Sequence, residues 1–485
     1  MFATYRSRDA LSALACVLAL AAAVAPRTSR ASGFYLTDRG VRSLGRAGAH
    51  VAGGDDQHAA WYNPANLVVG GPGVLFDLSL LAWGNQYRRV AQPTDTSPQV
   101  RFDAVSGSAL PIPVPTLIVS HSFGLRNAMF AAGVLAPNAV ITSYPDSVQD
   151  SSGMPRPAPQ RYSLLSLDGS ALLVGGLWFA YAPRPEIAFG LGIQALVGSF
   201  ASRLVLSACP ATITCQPEDP SWDALTQLRV GPIFAPSGNA GVRIQPAPWI
   251  TIGISGQLPM WISAPAQLQV RLPSDSFFDG SRIDGDRATV DFVLAPILRA
   301  GVEFRPTRVD RIEIAFVAEF WGMHDRIGLT PVRDAAQPNG IRIVDARAIN
   351  TYEVGPQSIV RGFQHTVSVR VGVERDQALG RDWHLWPRVG LAYESSATAP
   401  EYTSVLTLDS DKFLATFGAS IGRGRLRIDV VFAHVFASSV DVHPRAGQIF
   451  QVRPFRAGDP PSYAVNGGLY EFAVNVFGIG MRYAF

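Results

Sequence analysis

Apolar residues alternate with polar or small residues over several long segments of this chain. In the segment 311–321, every second residue from Ile312 onward is apolar, and the residues between them include Arg311, Glu313 and Glu319. Side chains of a β-strand point alternately to its two faces, so this period of two predicts strands with one apolar and one mixed face. Similar alternation recurs in the segments 298–305, 367–374 and 426–433.

Strand length and connection length distinguish between two all-β classes. A soluble β-sandwich also alternates, but strands of about ten residues whose apolar face ends in aromatic residues are typical of a transmembrane β-barrel. Short turns such as 182–186 and 422–424 alternate with long polar segments such as 85–108 and 332–357, as in barrels with short turns on one rim. The sequence therefore predicts an all-β, 14-stranded antiparallel transmembrane β-barrel over residues 73–485. Its strands are expected near 74–83, 114–124, 127–137, 161–183, 187–207, 224–245, 249–270, 287–305, 310–330, 357–375, 383–396, 409–422, 425–442 and 470–485.

Five prolines lie within the predicted strands 224–245, 249–270 and 287–305. Proline removes a hydrogen-bond donor from the ladder, so each is expected at a bulge, a strand end or an extension beyond the membrane. They are Pro232, Pro236, Pro259, Pro265 and Pro296.

The last predicted strand, 470–485, alternates throughout and ends in Phe485. Such a strand resembles the signal that the barrel assembly machinery of the outer membrane reads. That machinery is therefore an expected partner.

The first 31 residues have the pattern of a secretory signal peptide. Arg6 and Arg8 precede an apolar run over 11–25, which is shorter than the roughly 20 residues of a membrane helix. Cleavage is expected before Ser32. Together with the predicted β-barrel, export predicts that the chain lies in the outer membrane of a Gram-negative bacterium.

Charge argues against a nucleic-acid partner. The formal net charge is +3, but residues 1–31 contain four arginines and one aspartate, so the rest of the chain has no net charge. No basic surface is expected from this balance.

Cys209 and Cys215 would remain after export, in an oxidising compartment. A disulfide between them is predicted, within an extracellular loop. Metal ligation by two cysteines without a nearby histidine is the less favoured alternative, so no metal site and no cofactor are expected.

Residues 32–72 form a glycine- and alanine-rich segment without alternation. It resembles the hatch segment of the FadL family of outer-membrane transporters for hydrophobic compounds, so it is expected to plug the barrel lumen. The matching elements are Gly33-Phe34-x-Leu36, Leu44-Gly45-Arg46-Ala47, Asp55-Asp56 and Asn63-Pro64-Ala65.

The resemblance implies uptake of long-chain fatty acids or other hydrophobic compounds, including aromatic hydrocarbons, through an apolar pocket above the hatch. Phe34 and Leu36 are candidate substrate contacts. Asn63 and Pro64 form either a structural turn or a further contact. A carboxylate group of the substrate would be bound by an arginine in the lumen, for which Arg299 and Arg370 are the candidates.

The family releases its ligand sideways, through a gap where the third strand kinks inward. Here that strand is 127–137, and its Ala131, Ala132 and Gly133, together with Pro137, mark the expected gap. The alternative is a strand that is simply rich in small residues. Lateral release would make outer-membrane lipid a second partner, beside the hydrophobic ligand.

Two other function classes are weighed against transport. An outer-membrane lipid-acting enzyme is disfavoured, because no nucleophile motif accompanies the scattered His365, His384 and His434. A ligand-free structural or adhesin barrel remains the main alternative. The chain is therefore expected not to be an enzyme.

Overall fold

The computed structural model describes residues 38–91, 101–108, 111–138, 141–149, 153–211, 213–347, 349–456 and 463–485. The predicted signal peptide and the candidate contacts Phe34 and Leu36 lie outside the described residues. None of the helices in the described part of the chain is long and apolar enough to span a membrane.

Fourteen antiparallel strands form one closed barrel, as predicted. The first and last strands close it by a ladder from the pair Gly73 and Ala484 to the pair Arg89 and Gly468. Ten strands are continuous or nearly so, and four consist of two halves separated by a short break. The strands are β1 Gly73–Arg89, β2 Ile112–His121, β3 Ala128–Asn138, β4 Ser166–Arg184, β5 Ile187–Ser207, β6 Asp223–Ala247, β7 Ile250–Gln257 with Met260–Arg271, β8 Arg287–Leu294 with Ile297–Phe304, β9 Asp310–Glu319 with Arg326–Pro331, β10 Gln357–Val360 with Thr366–Arg375, β11 Trp383–Glu394, β12 Lys412–Arg423, β13 Leu426–Ala437 and β14 Gly468–Ala484.

The structure also contains short strands, helices and 3-10 turns outside the fourteen barrel strands. A three-stranded sheet and a two-stranded sheet are built from the long loops, and were not predicted. They comprise Arg282–Asp284, Arg342–Ala346 and Ile349–Glu353 in the first, and Ser147–Gln149 and Pro155–Pro157 in the second. Four further short strands extend the barrel ladders: Val105–Gly107, Thr142–Ser143, Gln377–Gly380 and Val440–Val442. The helices are α1 Val41–Leu44, α2 Ala59–Tyr62 and α3 Leu67–Gly70, with 3-10 turns at Pro64–Asn66, Pro220–Trp222, Ser276–Phe278, Trp321–Met323, Pro400–Tyr402 and Pro454–Arg456.

The five prolines occupy irregular or unpaired positions. Pro259 and Pro296 lie in the breaks of β7 and β8, and Pro232 lies in a register shift between β6 and β5. Pro236 and Pro265 each pair with only one neighbouring strand among the described ladders. Each of the five prolines thus lacks ladder pairing on at least one side, where a missing donor costs no hydrogen bond.

Outward-facing side chains form an apolar belt, which is what a strand crossing lipid requires. On β14 the belt consists of Phe477, Ile479, Met481 and Tyr483, all exposed. Buried positions that alternate with the belt carry many polar and charged groups, among them Asp77 and Arg370. The alternation in the sequence therefore separates a lipid side from a lumen side.

Residues 38–72 are mostly buried and contact lumen-facing side chains from both halves of the barrel. Trp61 and its neighbours pack against Ile118, Leu135 and Trp178 of β2 to β4. On the other side, Val41 and Leu44 pack in a cluster with β11 to β14, whose members include Ala392, Leu414, Ala433 and Val476.

Candidate functional site

An apolar cavity of about 160 Å³ lies on the lumen side of β4 to β10. Seven strands contribute to it, which explains why no local motif marks it. Leu228 and Ile233 of β6, Ile262 of β7 and Phe292 of β8 are among its lining residues. Lining of this kind binds apolar ligands, because burial removes their surface from water.

The cavity adjoins a second space that opens among the long loops. This space, of about 300 Å³, is lined by 356–360 and 448–453 as well as by Leu204 and Leu406. Leu204 and Leu406 also line the apolar cavity. The two spaces therefore share part of their lining and lie next to each other.

The polar side chains in the lining of the apolar cavity are Ser163, Ser202, His324 and Arg361. The His324 ring stacks on Phe363 with 5.3 Å between centroids, and its Nδ1 lies 2.5 Å from the Val293 carbonyl oxygen. The Arg361 guanidinium lies 4.9 Å from the Phe363 ring centre. The site therefore combines aromatic faces with one cationic group, which suits an apolar body carrying a carboxylate.

Sequence reasoning missed His324 and Arg361 because both lie in breaks between strand halves. His324 follows the 3-10 turn of β9, and Arg361 follows the first half of β10. Period-two alternation ends at such breaks, so it assigns no face to these residues. A useful signal would have been two breaks in neighbouring strands, each carrying a basic or aromatic residue.

The predicted carboxylate ligands Arg299 and Arg370 do not line this cavity. Arg370 donates hydrogen bonds to Asp38 and Glu394, and the Arg299 guanidinium lies 5.4 Å from the Trp61 ring centre. Both contact the segment 38–72.

Asn63 and Pro64 occupy structural positions. Asn63 Nδ2 donates to the carbonyl oxygens of Val51 and Val242, each at 3.0 Å, and its Oδ1 accepts from the Ala65 amide at 3.2 Å. Pro64 lies against Gly190 of β5, where a Cβ would meet the Pro64 carbonyl carbon at 2.3 Å. The structure therefore places this motif as a buried turn held against the wall.

The residues of the expected lateral gap differ in their strand pairing. Ala131, Ala132 and Gly133 pair with both β2 and β4 in continuous ladders. Ladder pairing between β3 and β4 becomes irregular only between Leu135 and Asn138, which brackets Pro137.

Cys209 and Cys215 are joined by a disulfide, with their Cα atoms 6.2 Å apart. Both line a loop-side space of about 210 Å³ together with Phe450 and Arg453. Phe450 and Arg453 also line the space of about 300 Å³, so the disulfide lies beside the loop-side space that adjoins the apolar cavity.

Charged side chains connect the segment 38–72 to the wall. Asp55 accepts from Arg42 and Arg311, and Arg42 also donates to Glu374 of β10 at 2.7 Å. Burial by itself would raise the pKa of Asp56, but the nearby His58 and His50 hold that pKa well below its ordinary value. The cationic neighbours therefore favour the charged form of Asp56, as a buried charge requires.

A second set of contacts surrounds Arg46. Its guanidinium lies 3.1 Å from Glu303 and 3.2 Å from Glu313, and all three side chains are fully buried. Together with the first set, these contacts hold residues 38–72 against β8, β9 and β10.

No protein-family model matches this sequence, and no curated protein matches it. Solved structures do match over nearly their whole length. A Pseudomonas aeruginosa FadL homologue has a TM-score of 0.68 at 15% identity, covering 94% of this chain and 100% of that chain. The Pseudomonas putida toluene transporter TodX has a TM-score of 0.62 at 13% identity, covering 93% and 99%.

A third structure, the Ralstonia pickettii toluene transporter TbuX, has a TM-score of 0.57 at 16% identity and covers 93% of this chain and 99% of its own. These neighbours are a FadL homologue and transporters rather than enzymes. The resemblance noted in the amino-terminal motifs thus extends to the architecture of the barrel, and the chain has the fold of the FadL family.

Proposed function

We propose that this protein transports hydrophobic small molecules across the outer membrane. The observation that carries the proposal is the apolar cavity inside a closed barrel, reached from the loop side through an adjoining space. A ligand is captured among the loops, transfers into the cavity, and leaves sideways into the bilayer. A ligand-free adhesin would have no use for such a cavity.

Long-chain fatty acids are the first candidate ligands. Arg361 supplies a cation in a mostly apolar lining, and the FadL homologue is among the structural neighbours. A long acyl chain would fill both the cavity and the adjoining space of about 300 Å³.

Monoaromatic hydrocarbons are the second candidate, favoured by cavity size. An apolar cavity of about 150 Å³ holds one benzene molecule. The cavity here is about 160 Å³ and contains the rings of Phe292 and Phe363 in its lining. Two of the structural neighbours are toluene transporters.

Residues 32–72 serve as the hatch in this proposal, between the signal peptide 1–31 and the barrel 73–485. A barrel of this size has a lumen that would otherwise leak small solutes. The burial of 38–72 and its ion pairs with β8 to β10 support a fixed plug. Lipid and the barrel assembly machinery, which would recognise β14, are the proposed partners in the membrane.

Uptake into proteoliposomes tests the proposal with labelled palmitate and labelled toluene as ligands. Phe292→Trp would fill the cavity and is expected to reduce uptake of both. Phe477→Trp, on the lipid side of β14, is the matched control and should leave uptake unchanged. Heat-modifiable migration on gels checks that both variants form barrels. Uptake no faster than in liposomes with a heat-denatured sample would contradict the proposal and favour an adhesin.

A further inference from the structure

The hydrogen-bonded ladder between β6 and β7 is open in the middle. Below the opening, Asn239 pairs with Gln257, and above it Val230 pairs with Ala266. Between these pairs, residues 231–238 of β6 form no ladder pair with residues 258–265 of β7. Each strand keeps its other neighbour, because 233–238 pair with β5 and 260–265 pair with β8.

The composition of the opening suits an unpaired wall. Pro232, Pro236, Pro259 and Pro265 all lie in it, and proline has no amide hydrogen to leave unsatisfied in lipid. Its lower edge is closed by the Leu258 amide, which donates to the Gly238 carbonyl oxygen at 2.8 Å.

The breaks between β8, β9 and β10 differ from this opening because a folded turn occupies them. The 3-10 turn Trp321–Met323 lies there, and the Phe320 amide donates to the Pro296 carbonyl oxygen at 3.1 Å. The Arg361 amide donates to the Asp325 carbonyl oxygen at 2.8 Å across the next break. These breaks are therefore sealed by backbone contacts.

Two cavities flank the β6 side of the opening. The apolar cavity of about 160 Å³ is lined by Leu228 and Ile233. A second cavity of about 360 Å³, lined by Gly231, Pro265 and other residues, includes side chains that face outward, such as Pro265. Phe200 of β5 lines both, and its ring lies edge-on to Phe292 with 6.2 Å between centroids.

The opening faces the apolar belt. Phe234 is 69% exposed, Trp261 is 63% exposed and Leu258 is 61% exposed. On the neighbouring strand β5, Ile193 and Val197 stand at the same height and are exposed as well. A molecule that passed between β6 and β7 would therefore enter lipid rather than water.

We propose that the ligand leaves the apolar cavity past Phe200, through the opening between β6 and β7, and enters the membrane there. This rests on the proposed transport function and assigns its exit to a wall segment distinct from β3. The path keeps apolar surface out of water throughout, at about 25 cal/mol per Å² of surface. Phe200 acts as the side chain that separates the inner from the outer cavity.

Photolabelling of the unmodified protein in liposomes tests the route. The probes are palmitic acid with a diazirine at the end of its acyl chain, and a phenyl diazirine. We expect labelled peptides to contain residues 229–231 and 265–267, which line only the outer cavity, in addition to Phe292 inside. Label at Phe292 together with 131–137 of β3, and none at 229–231 or 265–267, would overturn the route while leaving transport intact. Absence of label from the whole cavity would overturn transport as well.

Cross-linking provides a second test. Phe234→Cys with Trp261→Cys, joined by a short bismaleimide, restrains β6 and β7 from separating on the lipid side. Phe234→Cys with Val197→Cys is the matched control, since Phe234 and Val197 already pair across a continuous ladder. We expect the first tether to abolish most uptake relative to the same variant before cross-linking, and the control tether to leave uptake unchanged. Equal uptake in both tethered forms would refute the route.

Discussion

Glu313 of the barrel wall accepts a hydrogen bond from the backbone amide of Val51 at 2.6 Å. The same carboxylate accepts from the amides of Ala52 and Gly53, at 2.9 and 3.0 Å. One wall side chain thus binds three consecutive amides of the segment 38–72. Such charge-assisted bonds are stronger than neutral ones and fix the position of the bound backbone.

Glu313→Ala is predicted to loosen residues 38–72 without unfolding the barrel. Removing one partner of a buried charge pair typically costs about 3–5 kcal/mol, and here it would leave Arg46 and three amides short of an acceptor. Single-channel conductance of the reconstituted protein should rise, and limited proteolysis should cut within 38–72. Glu353→Ala, which removes an exposed loop partner of Arg333, is the control. Unchanged conductance and proteolysis in Glu313→Ala would show that this carboxylate does not anchor the segment.

Arg361→Met is predicted to separate the two candidate ligand classes. A hydrogen bond to a charged group contributes about 1.5–3 kcal/mol, so palmitate affinity should fall by roughly 10- to 100-fold. Toluene affinity should be nearly unchanged, since toluene carries no charge. Titration of both ligands against the protein in nanodiscs measures this, with the exposed Arg333→Met as control. Equal loss for palmitate and toluene would indicate that Arg361 only shapes the cavity.

The attachment of the segment 38–72 is predicted to depend on pH through His58. Burial lowers the pKa of His58, but the Asp77 and Asp56 carboxylates outweigh this and raise it to about 10, against an ordinary value of 6.5. Nε2 lies 2.7 Å from Asp77. A raised folded-state pKa gives stability that is complete below about pH 6.5 and is lost as the pH rises towards 10.

The conductance of the reconstituted protein and the rate of proteolysis within residues 38–72 should therefore increase between pH 7 and 10. His58→Gln, which cannot be protonated, should remove most of this dependence and behave at neutral pH as the native protein does at high pH. His434→Gln, on the wall strand β13, serves as the matched histidine control. A native protein whose conductance is flat over this range would rule out the role of His58.

The disulfide between Cys209 and Cys215 should hold the outer end of the ligand route. Closing so short a loop contributes about 2 kcal/mol in the chain-entropy account. Cys209→Ser with Cys215→Ser is expected to weaken ligand capture more than it changes barrel stability, because both cysteines lie in a loop. Mass spectrometry under non-reducing conditions checks the bond first, and two alkylatable thiols in the native protein would disprove it.

Two substitutions in β3 should affect barrel assembly and ligand uptake differently. A Cβ at Gly133 would lie 2.5 Å from the Leu117 carbonyl oxygen, so Gly133→Leu is predicted to impair barrel assembly. Ala132 faces outward and is exposed, so Ala132→Leu should assemble normally. Uptake by Ala132→Leu should equal that of the native protein if the exit lies between β6 and β7, and its loss would point back to β3.

Much of the barrel follows from the sequence because strand alternation is a local property. The strand predicted at 187–207 is observed as Ile187–Ser207, and the breaks at Pro259 and Pro296 fall where proline excludes a ladder bond. The apolar cavity, unlike the strands, could not be predicted from local alternation. Leu228, Phe292 and Arg361 come together only through strand pairing around the barrel, and nothing local to any of them records the cavity.

The predictions for the arginines show the same contrast between local alternation and contacts that depend on the whole fold. Alternation placed Arg370 on the lumen face, where the structure has it. Its pairing with Asp38 required knowing the path of a segment more than 300 residues earlier in the chain. Sequence reasoning could therefore say which face a charge occupies, but not which charge remains available to a ligand.

The ion pairs of the segment 38–72 also set an order of events during biogenesis. Arg42, Arg46 and Asp55 precede the barrel in the chain, yet their wall partners Glu374, Glu303 and Arg311 belong to β10, β8 and β9. Those partners stand in position only when the later strands have joined the sheet. The segment 38–72 is therefore synthesised before the barrel strands, yet it reaches its final position only after they have formed.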